Sequence, residues 1–204
     1  MVDDVSNDDG RGVGDAVELE LPAGQSRLAF IAATAVGTLL VILIAVLATS
    51  DGDAGLGRSP LISNTAPLIS GQAVDGSAFD LDAERGRWVV VNFFATTCIP
   101  CIEEHPELVA FDEEYSATGE ASVVSIAFSD SSSNVREFFE KNGGDWAVLA
   151  EDTGRHAISY GVAAVPETYL VSPNGVVTSK FIGGVTKLDI ETEIDRLGGA
   201  LGVS

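Results

Sequence analysis

The chain holds two cysteines, Cys98 and Cys101, and only Ile99 and Pro100 separate them. A pair at that spacing can exchange with other disulfides, close a structural bridge, or ligate a metal. A structural bridge is the poorest of these readings, because closing so small a loop removes little entropy from the unfolded chain. Zinc needs more ligands; His105 could join the cysteines, yet no second cysteine pair exists and His156 is the only other histidine. An inert pair of core cysteines is the remaining alternative. Exchange depends on what positions the sulfurs. At a helix N-terminus, unpaired N–H groups and the helix dipole stabilise a thiolate, which makes the first cysteine a nucleophile near neutral pH. Cys98 is then the attacking thiol. Cys101, one turn further in, is placed to resolve the mixed disulfide.

The flanking sequence supplies that setting. Trp88 to Phe94 (WVVVNFF) is a nearly continuous apolar, β-branched and aromatic run, as expected of a central strand covered on both faces. Directly after it, Cys101, Leu108, Phe111 and Tyr115 recur at helical spacing. The cysteines thus open a helix that leaves a buried strand. Downstream, the pattern predicts a strand at 122–128 and a helix with Val135, Phe138 and Phe139 on one face, ending at Asn142-Gly143. A strand near 147–150 and a short helix at 154–160 follow. Two antiparallel strands, 168–172 and 176–182, join through Pro173-Asn174-Gly175, and a last helix buries Ile190, Ile194, Leu197 and Leu201. Upstream, Asp75-Gly76 suits a type I′ hairpin turn. The whole is an α/β domain over 66–204, with one mixed sheet and helices on both faces.

The run Val91-Asn92-Phe93-Phe94-Ala95-Thr96-Thr97-Cys98-Ile99-Pro100-Cys101 resembles the active-site strand and helix start of membrane-tethered thioredoxin-like proteins of the TlpA, ResA and CcmG (DsbE) type. Pro106 occupies the position of that family's helix-kinking proline, five residues after the second cysteine. The segment Gly161 to Val171 is similar to its cis-proline loop, which places Val165 and Pro166 opposite the cysteines as the docking edge for an extended substrate. The resemblance implies a thioredoxin-like fold and no cofactor beyond the redox-active disulfide Cys98–Cys101. It also implies catalytic parts for Glu104 and for Glu167, the residue after Pro166, either of which could carry a proton or simply be a solvated charge. His105 is similar to the CcmG subgroup as well, whereas Glu103 and Glu107 read as solvated. Thr97 and Pro100 border the sulfurs where substrate would lie. Thr97 departs from the family, which carries an aromatic residue there, and Asn92 stands where general thioredoxins have a buried aspartate.

The resemblance makes the chain a thiol:disulfide oxidoreductase that reduces protein disulfides, those of apocytochrome c or its chaperone among them, with electrons from a membrane thiol carrier. Running the same residues backwards would make an oxidant for secreted proteins. Residues 127–161 also resemble peroxiredoxins, but Ala95 sits three before Cys98 and no proline stands between 92 and 97, so the peroxidatic constellation is missing. Ahead of the domain, residues 28–50 run for 23 residues without a charge, enough to cross a hydrocarbon core about 30 Å thick. That exceeds a signal peptide's apolar region, and seven acids with only two arginines precede it, which favours an uncleaved anchor over a cleaved leader. No cysteine near its end offers a lipid attachment point. The expected organisation is an acidic disordered cytoplasmic tail over 1–27, a transmembrane helix over 28–50, a tether over 51–65, and the catalytic domain outside the cytoplasm. A net charge of −20 argues against nucleic acid as a partner.

Overall fold

A computed structural model describes residues 23–48, 55–150 and 153–198 of the chain. These fall into two units divided after Ser50. In the first, helix α1 spans Ala23–Ala48, 26 residues or about 39 Å at the usual rise. Its large apolar side chains, Phe30, Leu39, Val41 and Ile44 among them, are exposed. Among the described residues no helix is long and apolar enough to cross a membrane. Positions 1–22 of the tail expected over 1–27, 49 and 50 of the expected span and 51–54 of the expected tether lie outside the described residues, while 23–27, expected to be disordered, form the start of α1.

The second unit is built on six strands: β1 (Gly55–Leu56), β4 (Trp88–Phe94), β5 (Ala121–Ala127), β6 (Ala147–Leu149), β7 (Glu167–Val171) and β8 (Val177–Ile182), with β2 (Ser70–Gln72) and β3 (Ala78–Asp80) forming a separate hairpin. The sheet order is β1-β8-β7-β4-β5-β6, parallel from β4 through β6 and antiparallel on the other side. All seven residues of β4 are buried, which explains its unbroken apolar sequence. Odd-numbered β4 residues Val89, Val91 and Phe93 pack with Ile69, Phe79, Ala157, Tyr160 and Tyr169. Even-numbered Trp88 and Val90 pack with Leu108, Phe111, Ile190 and Ile194. The strand period of two therefore assigns helices α2 (Ile99–Tyr115) and α5 (Lys187–Arg196) to one face, and α4 (Thr153–Tyr160) with the hairpin to the other. Helix α3 (Ser132–Asn142) joins through Val135, which packs with Phe94 and Val148.

Three expectations change. Residues 55–65 of the tether expected over 51–65 run partly along the sheet: β1 pairs with the end of β8, Gly57 N–H donates to the Lys180 carbonyl at 2.7 Å, and Ser63 N–H to that of Val177 at 2.8 Å. Their Gly, Ser and Pro content hid an edge that carries backbone bonds rather than apolar periodicity. At 73–77 only Gly76 has positive φ, 92°, so the turn is not type I′; Asp75 Oδ1 instead accepts the Ser77 N–H at 2.8 Å. Leu197 ends α5 partly exposed, and position 201 lies outside the described residues.

Candidate active site

Strand β4 delivers the chain to a short loop, 95–98, and α2 starts from it. Cys98 is the N-cap of α2, in extended conformation, and its Sγ accepts from the Cys101 N–H at 3.3 Å. Pro100 sits in the first turn, where its missing N–H costs no helix bond, and no acidic side chain occupies that turn to oppose a thiolate. Pro106 lies inside the helix, as expected from the resemblance. Cys98 and Cys101 are joined as a disulfide with Cα atoms 5.2 Å apart. Cys101 is 2% exposed, within the cluster of Phe94, Val135 and Val148, whereas Cys98 is only half-buried. Only Cys98 can be met from solution. This asymmetry assigns attack to Cys98 and resolution to Cys101.

The Val165–Pro166 bond is cis, and the Val165 carbonyl lies 3.6 Å from Cys98 Sγ. A reduced Cys98 thiol could donate to that carbonyl. Thr97, Ile99 and Pro100 are exposed around the sulfur, so Cys98, Thr97, Pro100 and the half-buried Val165 come together at one surface, with Cys101 and Pro166 buried beneath it.

Glu104, one turn after Cys101, is 4% exposed. Its Oε1 accepts from Asn92 Nδ2 at 2.8 Å and its Oε2 from the Val185 N–H at 3.0 Å. Burial pushes its carboxyl up to about 7, against the pull of those two hydrogen bonds, so it exchanges protons in the physiological range. Asn92 also donates to Thr168 Oγ1 at 3.1 Å and accepts from Ser125 Oγ at 3.4 Å, while Trp146 Nε1 donates to Ser125 Oγ at 2.8 Å. A cavity of about 230 Å³ lined by Pro100, Glu103, Glu104, Gly184 and Val185 adjoins this carboxyl.

Glu167 is not brought to the same place. It alternates with Thr168 along β7 and so faces the other side of the sheet from Glu104. Its contacts are Lys180, Tyr169 and the Ala163 N–H rather than the sulfurs. His105 is likewise built into packing: its Nε2 lies 2.9 Å from the Gly143 carbonyl, and Phe138, Phe139 and Trp146 surround the ring. Burial holds its imidazole below the usual range, hence neutral, and it ties α2 to α3. Among the described residues no cluster of three metal-ligating side chains exists.

Asp130 belongs to the site without having been singled out in the sequence. Its Oδ2 accepts from both the Thr96 N–H at 2.8 Å and Thr96 Oγ1 at 2.6 Å, and its Oδ1 from the Ser131 N–H at 2.8 Å. Burial works against its ionised form, but these bonds outweigh it and hold the carboxyl below the usual range. Asp130 thereby pins the loop that carries Cys98. Asp130→Ala is expected to destabilise the domain by about 1–2 kcal/mol near neutral pH. Because the folded carboxyl is depressed, the part of that difference tied to ionisation is fully present above the ordinary aspartate range and is lost as pH falls from there through the lower folded value. Urea unfolding at pH 7 and pH 3 measures it, and equal losses at both would refute the assignment.

Three comparisons with known proteins accord with this geometry. The Redoxin family model matches residues 62–196. The chain is 34% identical over 110 residues to the thiol:disulfide interchange protein CycY of Rhizobium leguminosarum bv. viciae, covering 53% of this chain and 57% of CycY. It is 27% identical over 153 residues to the thiol-disulfide oxidoreductase ResA of Bacillus subtilis, covering 74% of this chain and 84% of ResA. A crystal structure of a thioredoxin-family thiol:disulfide interchange protein from Chlorobium tepidum superposes with a TM-score of 0.61 at 24% identity, covering 69% of this chain and 98% of that one.

Proposed function

Because the chain belongs to the redoxin family, we propose that its thiol:disulfide oxidoreductase activity runs as a reductant, tethered to a membrane, that opens protein disulfides outside the cytoplasm. The observation that carries the chemistry is the half-exposed Cys98 at a helix N-terminus, bridged to a buried Cys101 with the buried Glu104 one turn beyond. In the reduced enzyme the Cys98 thiolate attacks a substrate disulfide R–S–S–R′, forming Cys98–S–S–R and releasing R′S⁻. Cys101 then gives its proton to the Glu104 carboxylate and attacks Cys98 Sγ. RSH leaves once a proton is supplied, and two electrons have passed to the substrate. A membrane dithiol carrier reduces Cys98–Cys101 for the next turn. The redox-active disulfide serves without an added cofactor.

The reducing direction rests on the likeness to the ResA and CcmG type, and substrates such as apocytochrome c or its chaperone follow from the same likeness. The anchor rests on the uncharged run of the sequence at 28–50. Within α1 the Thr34 hydroxyl bonds the Phe30 carbonyl at 2.9 Å and the Thr38 hydroxyl that of Thr34 at 2.8 Å, which satisfies polar groups inside the helix as a lipid setting requires.

The full chain in native membranes provides the test. The midpoint potential of Cys98–Cys101 is expected near about −270 mV, with insulin disulfides reduced; a value near about −120 mV would make the protein an oxidant instead. A membrane-impermeant maleimide is expected to label Cys98 in intact, pre-reduced spheroplasts. Labelling only after lysis would place the domain in the cytoplasm, and rapid hydroperoxide consumption would make the enzyme a peroxidase.

A further inference from the structure

On the sheet face opposite Glu104, Lys180 Nζ lies 2.8 Å from Glu167 Oε2, and the two residues are only 6% and 3% exposed. The ammonium also sits 5.2 Å from the centre of the Tyr169 ring, its partner in register across β7 and β8. A buried ion pair is weak evidence of stabilisation, because desolvating both charges roughly cancels their attraction and a neutral pair of the same volume often serves as well. What this pair holds is more specific. The other Glu167 oxygen accepts the Ala163 N–H at 3.3 Å, and the Tyr169 hydroxyl, 3.2 Å from Glu167 Oε2, donates to the Tyr160 carbonyl at 2.7 Å. Those bonds fasten a half-buried to exposed segment, 161–165, whose last carbonyl lies 3.6 Å from Cys98 Sγ.

We infer that Lys180 is a positioning residue: by holding the Glu167 carboxylate against the Ala163 N–H, it fixes the 161–165 segment and so the edge on which a substrate chain docks beside Cys98. The inference rests on Cys98 being the attacking thiol, a reading the Cys98→Ser variant tests separately. Lys180 stays across the sheet from the sulfurs, so its influence falls on substrate docking and leaves the thiol chemistry alone. A pre-ordered edge spares the bound complex the entropy of ordering the loop, and its loss is read in KM. Lys180→Met leaves a buried carboxylate with no cation and loosens the segment. Lys180→Met combined with Glu167→Gln restores a neutral pair in which the amide oxygen can still accept from Ala163.

The experiment uses the reduced full chain with insulin as disulfide substrate, and reads kcat, KM, the midpoint potential of Cys98–Cys101 and the unfolding midpoint. Lys180→Met is expected to raise KM about tenfold with kcat and potential nearly unchanged, and the double variant to recover most of that rise. An unchanged KM with a lowered unfolding midpoint would reduce the pair to a structural role, and a shifted potential that accounts for the loss would place its effect on the thiols; either overturns the proposal. Should Lys180→Met not fold, Tyr169→Phe, which removes only a hydroxyl, is expected to raise KM about threefold. No change of KM in that variant would also overturn it.

Discussion

Replacing Cys98 with serine is expected to abolish disulfide exchange, with kcat/KM falling by at least about 10³-fold, because a hydroxyl cannot form the mixed disulfide on which every later step depends. The fold should survive the change. Cys98 occupies the N-cap of α2, where its Sγ accepts the Cys101 N–H, and serine is among the best residues for that duty. Loss of activity with an unaltered unfolding transition of the reduced protein therefore reports chemistry alone. Cys101→Ala has the opposite signature. Attack by Cys98 still proceeds, but nothing buried behind it releases the product, so the variant should accumulate a covalent adduct with its substrate, visible on a non-reducing gel and removed by dithiothreitol. Alanine rather than serine is the right replacement, since Cys101 packs among Phe94, Val135 and Val148, where an unpaired hydroxyl would cost about 1–3 kcal/mol. If Cys101→Ala formed no adduct while Cys98→Ala did, the roles of the two sulfurs would have to be exchanged.

The cysteine pair, its strand and its helix were legible because each obeys a local rule. β4 covers the same residues the apolar run marked, and α2 begins one residue after Cys98. The cis bond at Val165–Pro166 beside Cys98 was legible only through family likeness, since nothing in the local sequence ranks one proline of a loop above another. Asp130 was hidden for a different reason. It acts from 34 residues away in the chain, and its pairing with Thr96 depends on β4 and β5 ending side by side. Asn92, Ser125 and Thr168 did leave a trace, as polar residues inside apolar strands. Their meaning required the register, which lines all three up in one row across β5, β4 and β7. Lys180 left the same kind of trace, a lysine within a buried strand. Glu167 needed the structure to be placed: alternation along β7 turns it away from the face that Thr168 shares with Asn92 and toward Lys180 and Tyr169.

Under the proposed mechanism, that row explains why Glu104, rather than an acid on the strand, would carry the proton. In this chain the strand position is Asn92, an amide that cannot titrate, and its Nδ2 instead orients the carboxyl supplied by α2. A fixed donor on one oxygen and the Val185 N–H on the other leave the carboxylate well coordinated yet still buried. Burial outweighs the two hydrogen bonds but is opposed by them, and that balance places the carboxyl near neutrality.

Glu104→Gln is expected to lower kcat for disulfide reduction about 10²-fold and to flatten the rise in rate expected of the wild type as pH passes through about 7, where in the proposed mechanism its carboxyl becomes the base that takes the Cys101 proton. Stability should report the same group with a defined sign. The folded carboxyl is raised from 4.5 to about 7, so the native state holds a proton that the unfolded chain has released. Glu104's contribution is thus fully present below about 4.5 and is lost as pH rises through about 7, a change of about 3 kcal/mol in all. Glutamine removes that slope. It also introduces an N–H₂ where both neighbours, Asn92 Nδ2 and the Val185 N–H, are donors, and one mismatched contact costs about 1–3 kcal/mol at every pH. The variant is therefore expected to be less stable than the wild type at pH 5 and to close or reverse that gap by pH 9, measured by urea unfolding with the disulfide intact in both. Parallel stability curves across that range would mean that Glu104 does not titrate there, and the proton for the resolving step would have to be sought elsewhere.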